Sequence, residues 1–554
     1  MTSLAQVAVD AVMKHPKSNI EMALEFVSKV CPRFTSQDND RLVKVGRSLQ
    51  NLVFLKDQIP FESSVKQLIE ECDLLCSDIV KVPKIRFGKT ELQMPILTLG
   101  CMRFQQEWGP RITNMNMVGS DCQDNLVRIL HRAICDFGIN HIETARGYGS
   151  SELQLGVALK QLFDSGVVKR QDIILQTKVG ACSTAAEFRR TLETSFSLLQ
   201  VDYVDLFSFH GLNLPHQYDW VFNNGLNGNC IDVVKEYVAA GKIRHVGFSS
   251  HAPEDLIRKL IETDAFSYVN LHYHYFGSYT TTGYGPSKGN LDNIRLLNEK
   301  DMGVFVISAY DKGGKLYQPS NKLRALTLPE MEPIAFGTAW LWTHDRHQGS
   351  VIHTTVCGAA RPADLDQGAV SAYQFGKDPE SYYSKVSSVL GRLEQAKVDA
   401  LGQAWLDTCY DGILKSHESK FMVEHNQIIW CYNVIKAFGM YAFAKDRYWS
   451  LESNREKWDK TITTEAAIDK VGRIGWGYVP GLSLVPDEEN YTEDFTLVPD
   501  ANKELVLQAE SFVHKYLKKP SPGKKADEIE LPIEWQDSYV MKPWTDFPDR
   551  PSRG

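Results

Sequence analysis

The sequence predicts an α/β chain built on a (β/α)8 barrel over residues 83–375. An N-terminal helical extension (1–82) precedes it, and a C-terminal helical extension packed on the barrel (376–480) leads to an extended proline- and acid-rich tail (481–554). Three observations predict this. Eight short β-rich runs alternate with amphipathic helical stretches, the pattern of strands each followed by a helix. The runs are near-continuous in Val, Ile and Leu, as strands buried on both faces are. Successive runs also end in ionisable groups, and the C-terminal ends of barrel strands are where such a fold carries chemistry.

In chain order, residues 1–82 show helical periodicity and little else. Ile20, Met22, Ala23, Phe26, Val27 and Val30, then Leu42, Val45, Leu49, Leu52 and Val53, then Val65, Leu68, Ile69, Cys72 and Leu75, recur at spacings of three and four. A small helical bundle or cap is expected. Lys84–Thr90 with Leu92–Met94 reads as a short hairpin, and Ile96–Gly100 as the first buried strand of a TIM-type barrel. Further strands are expected near 139–143, 173–178, 203–209, 243–249, 267–273, 303–308 and 351–356. Helices are expected near 123–137, 151–163, 185–199, 229–240, 254–262, 290–300, 328–342 and 362–373. Past the barrel, Val386–Ala404 and Ile428–Ala442 read as helices. From 481 the periodicity weakens and proline accumulates, so an extended arm is expected, docked through Trp535 and Trp544.

Composition narrows the function. The formal charge of −8 over 554 residues argues against a nucleic-acid footprint. No apolar run reaches the length of a membrane span. Leu4–Met13 is interrupted by Asp10 and no basic stretch precedes it, so no secretory signal is expected. A cytoplasmic location follows, with a mitochondrial address as the minor reading. The 11 cysteines form no Cys-x-x-Cys pair, so neither a metal site nor an iron–sulfur cluster is expected. They read as core residues in a reducing compartment.

The chemistry gathers at strand ends. Residues 138–154 run Gly-Ile-Asn-His-Ile-Glu-Thr-Ala-Arg-Gly-Tyr-Gly-Ser-Ser-Glu-Leu-Gln, so a strand ends in Glu143 and the next loop carries Tyr148 between two glycines. The following strands deliver Lys178 and His210 at their own ends. A lone lysine or histidine at a strand end is usually a solvated or satisfied residue; four groups in order on successive strands are not ordinary packing. A tyrosine with a pKa of about 10 protonates a carbonyl poorly near neutrality. A neighbouring ammonium favours its phenolate, and a carboxylate keeps that ammonium charged and oriented. Tyr148, Lys178 and Glu143 supply these parts, and His210 can donate to a substrate oxygen. The hydride must come from a bound cofactor.

This layout resembles the aldo-keto reductase superfamily, over about half the chain, and in that superfamily the quartet forms the catalytic tetrad. Most members carry Asp where this chain has Glu143. A bacterial subgroup is similar in the His141–Gly149 run, in Tyr310–Tyr317, in Gly358–Pro362, and past the barrel around Ile429-Trp430 and Phe438–Met440. Some relatives end in a cysteine-rich ferredoxin-like segment, whereas the last cysteine here is Cys431. The resemblance implies a nicotinamide cofactor, NADP(H) first and NAD(H) as the alternative. Gly100 and Met102 at the first strand end, and Ser249, Ser250 and Asn270, would lie along its nicotinamide end, with Ser250 and Asn270 replacing the family's Asn and Gln. Tyr310 resembles the aromatic that stacks on the nicotinamide. Lys312, Gly314 and Leu316 would form the loop under the pyrophosphate, where glycine lets backbone approach phosphate.

At the adenosine end, Gly358 and Asp364 stand where the family's phosphate-clamping Lys and Arg are expected. Gln367-Gly368 replaces Glu-Asn, Ala359 follows Gly358, and Arg361 could restore a contact to a 2′-phosphate. Phe104, Trp108 and Tyr275 line an apolar substrate pocket or else pack beneath the extensions. The expected function is NAD(P)H-dependent reduction of an aldehyde or ketone, a small-molecule carbonyl, with Tyr148 as general acid. The alternative is a barrel retained as a structural or regulatory subunit of a larger assembly, its protein partners met through residues 1–82 and 376–554.

Overall fold

The computed structural model describes residues 3–34, 39–106, 112–277, 290–416, 418–456, 481–484, 491–519 and 530–536. A two-stranded hairpin, β1 (Lys84–Arg86) and β2 (Gln93–Pro95), opens the barrel, with Ile85 level with Met94. Eight parallel strands then close on themselves: β3 (Leu97–Gly100), β4 (His141–Glu143), β5 (Ile174–Val179), β6 (Val204–Phe209), β7 (Ile243–Ser249), β8 (Tyr268–Leu271), β9 (Gly303–Val306) and β10 (Thr354–Gly358), with β10 pairing back to β3. This is the (β/α)8 barrel. The hairpin turn places Phe87 against Gly303, where an added Cβ would lie 2.5 Å from the Phe87 ring; only glycine admits that plug.

The barrel interior holds a polar belt absent from the hydrophobic reading of the strands. Thr98 Oγ1 lies 2.7 Å from both Thr354 Oγ1 and His141 Nδ1. His141 Nε2 lies 3.1 Å from Gln176 Oε1, and Gln176 Nε2 donates to Ser208 Oγ at 3.1 Å and to Asn270 Oδ1 at 3.3 Å. Each member is buried and meets a neighbour, as buried polar groups must. The site is built on this belt.

Some element boundaries differ from expectation. The last strand begins at Thr354 rather than near 351, and the helix expected at 328–342 is Pro333–Thr343, preceded by a separate helix, Asn321–Thr327. Four helices (Leu4–Lys14, Asn19–Val30, Asn39–Phe54 and Phe61–Leu75) form the N-terminal layer. Arg41 ties this layer to the barrel, donating from Nε and Nη2 to the Asp366 carboxylate at 3.0 and 3.2 Å; Arg132 donates to the same carboxylate at 3.1 Å. Past the barrel, helices Pro379–Leu401, His425–Phe438 and Tyr441–Glu456 pack together, the last two separated at Gly439 (φ 68°).

The extended tail needs correction: Asp500–Leu517 is an 18-residue helix. Val506, Ala509, Glu510, Val513 and Leu517 form its buried stripe against His425–Phe438. The periodicity is hidden because a carboxylate occupies one of its core positions. Glu510 Oε1 meets His425 there, whose Nδ1 lies 2.5 Å away while its Nε2 meets Asp494 at 3.0 Å. Trp535 is buried against Phe512 and Tyr516, whereas Trp544 lies outside the described residues. Among the described residues no helix is long and apolar enough to cross a membrane.

Candidate active site

Strand register sets the height of each functional side chain. Glu143 is level with Gln176, so Lys178, two residues further along β5, faces the same way one layer nearer the mouth. Lys178 is in turn level with Ser208, which puts His210 one layer above the belt; its N–H continues the ladder to Val179 O at 2.8 Å. The loop after β4 stays tied to β5, because Thr144 N–H donates to Gln176 O and Arg146 N–H to Lys178 O, both at 2.9 Å. Arg146 also pairs with buried Glu152 at 2.6 Å, and Thr177 Oγ1 donates to the other Glu152 oxygen at 2.6 Å. Tyr148 is therefore presented by a braced turn.

These groups converge. Lys178 and Glu143 form an ion pair whose side chains are only 2% and 4% exposed. Lys178 Nζ also donates to Thr144 O at 2.9 Å and lies 4.7 Å from the centre of the Tyr148 ring. Tyr148 and His210 meet edge to face, with centroids 5.5 Å apart at 88°. Burial pushes the Lys178 pKa well below the ordinary lysine value, opposed electrostatically by Cys101; a carboxylate at ion-pair distance favours the charged form. His210 is pushed down to about 3, first by burial and then by the charges of Lys178 and Lys312. At pH 7 it is a neutral imidazole, able to donate one hydrogen bond.

The quartet opens into a cleft of about 430 Å³, within the size range of small-molecule sites. Gly100, Met102, Ser249, Tyr310, Lys312 and Gly358, all expected at a cofactor, line it. Asn270 is level with Ser249 but belongs to the belt. Its Oδ1 accepts from Gln176 and Ser208, which leaves its buried Nδ2 without a hydrogen-bond partner. An unpaired donor of this kind at the strand end fits a carboxamide oxygen. The remaining expectations are placed elsewhere. Ser250 turns its hydroxyl back to Leu212 O at 2.7 Å. Gly314 and Leu316 form the outer side of their loop, Leu316 packing against Gly337.

At the adenosine end, Asp364 Oδ2 accepts the N–H groups of Ala360 and Arg361 at 2.8 and 3.1 Å, so it caps a turn rather than facing a ribose. Ala359 is core, Arg361 is nearly buried beside that turn, and Gln367 faces Glu71 of the N-terminal layer. Phe104 is wholly buried in the core. Tyr275 packs on Phe276, Phe336 and Trp340 and donates to Glu394 at 2.8 Å, beneath the C-terminal helices. Trp108 lies outside the described residues.

Several cleft residues were assigned no role by the sequence reading, Arg103, His251, Asp311 and Tyr317 among them. Arg103 crosses the cleft to Asp311, with 3.6 Å between charges, and its guanidinium lies 4.6 Å from the centre of the Tyr317 ring. Tyr317 donates to Gly358 O at 2.6 Å, and His251 lines the opposite wall. A charge three residues past the first strand end was the available signal for Arg103; only the closed barrel brings it to Asp311.

A sequence model of the Aldo/keto reductase family matches residues 96–313. Among curated relatives, Aldo-keto reductase family 4 member C11 of Arabidopsis thaliana is 32% identical over 108 residues, 19% of this chain and 34% of that protein. Uncharacterized oxidoreductase YqkF of Bacillus subtilis (strain 168) is 25% identical over 206 residues, 35% of this chain and 56% of that protein. The chain thus spans about a third to a little over half of the length of these relatives. Among solved structures, aldo-keto reductase AKR11C1 from Bacillus halodurans (holo form) is 21% identical, with a TM-score of 0.40, covering 55% of this chain and 96% of that one. The family match thus runs from the first barrel strand through the Tyr310 loop, and over residues 96–313 this chain is similar to the Aldo/keto reductase family.

Proposed function

We propose that the protein is an NAD(P)H-dependent oxidoreductase that reduces an aldehyde or ketone, with Tyr148 as general acid. The observation that carries this is the Lys178 ammonium, buried against Glu143 and held 4.7 Å from the centre of the Tyr148 ring at the cleft floor. A charged group taken so far out of water is costly, and here it lies where a tyrosine must release a proton.

The nicotinamide coenzyme, when bound, supplies the hydride to the carbonyl carbon. Ser249 and Tyr310 in the cleft lining would hold its nicotinamide end, with Asn270 level with Ser249 in the belt beneath, and Lys312 its phosphates. NADP(H) is the coenzyme we infer. Arg103 in the cleft wall and Arg361 beside the Asp364 turn are the cations we infer for its 2′-phosphate, and the Asp364 carboxylate is already engaged by backbone N–H groups. The hydroxyl of Tyr148 gives its proton to the carbonyl oxygen. Lys178 favours the phenolate left behind, and Glu143 keeps Lys178 charged against the cost of burial. Neutral His210 donates a hydrogen bond to the same oxygen and orients it. Walls raised by Tyr310, Tyr317 and Met102 exclude water from this proton transfer.

Fluorescence titration with NADPH and with NADH tests the coenzyme half of this reading; saturable binding with NADPH preferred is expected. Tyr148→Phe should then lower carbonyl reduction by roughly two to four orders of magnitude while leaving coenzyme binding unchanged. Unchanged turnover would refute the acid role. Failure of the unaltered chain to bind either coenzyme would favour the alternative, a barrel serving as a scaffold.

A further inference from the structure

The loop from Ser308 to Leu316 has two faces. On the inner face Ser308, Asp311 and Lys312 line the cleft. The loop closes on itself, with Gly313 N–H donating to Ser308 O at 2.9 Å and Lys315 N–H to Asp311 O at 2.5 Å. Ser308 and Lys315 both take left-handed backbone, at φ 61° and 52°, a conformation that surrounding contacts must hold in place.

Those contacts come from the loop after β8 and from the C-terminal extension. A Cβ at Gly313 would lie 2.6 Å from the His274 ring, so loop and imidazole are in flat contact. A Cβ at Gly314 would lie 3.0 Å from Phe276 Cδ2 and 3.4 Å from Met440 Cε. Phe276 is itself fixed by the C-terminal extension: its carbonyl accepts from Trp430 Nε1 at 2.9 Å, and its ring meets Phe438 at 5.5 Å. The charge at the loop tip is also met there, Lys315 Nζ lying 3.2 Å from Asp446 Oδ2 on helix Tyr441–Glu456.

We propose that the C-terminal helical extension is the outer wall of the coenzyme loop, and that Asp446, by latching Lys315, sets how fast the dinucleotide leaves. The proposal rests on the coenzyme reading above. Release requires the Ser308–Leu316 loop to swing away from the cleft, and the direction in which it must move is filled by Met440, Phe276 and Asp446. The loop cannot open without breaking the ion pair and sliding off the Met440 side chain. Asp446 is thus a positioning residue, remote from the reacting atoms.

The test uses the full chain with Asp446→Asn, Asp446→Lys and Asp446→Glu. Asp446 is 45% exposed, so none of these changes threatens the fold, and melting curves check that. Coenzyme dissociation is followed by stopped-flow fluorescence, and opening of the loop by hydrogen exchange at the amides of 310–316 without coenzyme. A half-exposed pair predicts dissociation about two- to fivefold faster in Asp446→Asn. In Asp446→Lys, two like charges predict about tenfold at low salt, shrinking as salt rises. Asp446→Glu should stay close to the unaltered chain, and loop exchange should rise in step with dissociation. Unchanged dissociation in Asp446→Lys at low salt overturns the proposal, as does faster dissociation with unchanged loop exchange. If loop exchange rises in Asp446→Lys but the unaltered chain binds neither NADPH nor NADH, the coenzyme role falls together with the reading it rests on, and only the mechanical bracing survives.

Discussion

Replacing Glu143 with Gln removes the charge that compensates the buried Lys178 and leaves the shape nearly unchanged. Lys178 is 2% exposed, so it is left as a cation facing only neutral acceptors, the introduced amide oxygen and Thr144 O. Breaking a buried pair in this way costs about 3–5 kcal/mol. Lys178 can escape that cost by losing its proton, which sets an upper limit that depends on pH. From an unfolded pKa of about 10.4, deprotonation costs about 4.6 kcal/mol at pH 7 and about 1.9 kcal/mol at pH 9. The folded pKa of Lys178 is already depressed by burial, and in Glu143→Gln the carboxylate no longer favours the charged form. The unfolded variant then binds more protons than the folded one, so its stability rises with pH relative to the unaltered chain. Urea unfolding of both proteins at pH 7 and pH 9 measures the difference. A deficit of several kcal/mol at pH 7 that narrows by about half or more at pH 9 is expected. A deficit that stays constant across this range would refute the assignment of Lys178 as the cation that Glu143 sustains.

Gly147 faces the imidazole of His210, where an added Cβ would lie 3.4 Å from both Cε1 and Nδ1. Gly147→Ala should tilt that ring and lower turnover about tenfold with coenzyme affinity unchanged, since small misplacements of a catalytic group are costly; steady-state kinetics alongside the fluorescence titration checks this. At His425, burial opposes protonation, but the charge of Glu510 and the hydrogen bonds to Asp494 and Glu510 outweigh it and raise the pKa to about 9. Its stabilising contribution is therefore complete below about pH 6.5 and is lost as pH rises through about 9. Melting temperatures of His425→Asn and the unaltered chain should differ most at pH 6 and converge by pH 10.

Much of the architecture was legible because barrel strands and their helices carry strong local patterns. The run from His141 to Ser151 announces a strand, an acid, a tight turn and a helix start, and the Lys178 and His210 strands repeat the motif. The N-terminal helices were equally legible from the spacing of Met22, Phe26, Leu42, Val45 and Leu49. The helix at Asp500–Leu517 was not. Glu510 interrupts its apolar stripe, and a carboxylate at a core position makes sense only once His425, 85 residues earlier, is seen to meet it.

The same division runs through the site. Sequence by itself determined the fold class and which residues end the strands, because near-continuous apolar strand runs and strand–helix alternation are local properties of the chain. Closure of the barrel decided the rest. It put Arg103 opposite Asp311, gave Asn270 to the polar belt, and turned Ser250 and Asp364 to backbone partners. Packing of the C-terminal helices on the barrel set Tyr275 beneath them and Asp446 against Lys315. Each of these depends on which way a side chain points and on what a distant segment brings to meet it, and contacts between residues far apart in the chain leave no periodic trace in the sequence.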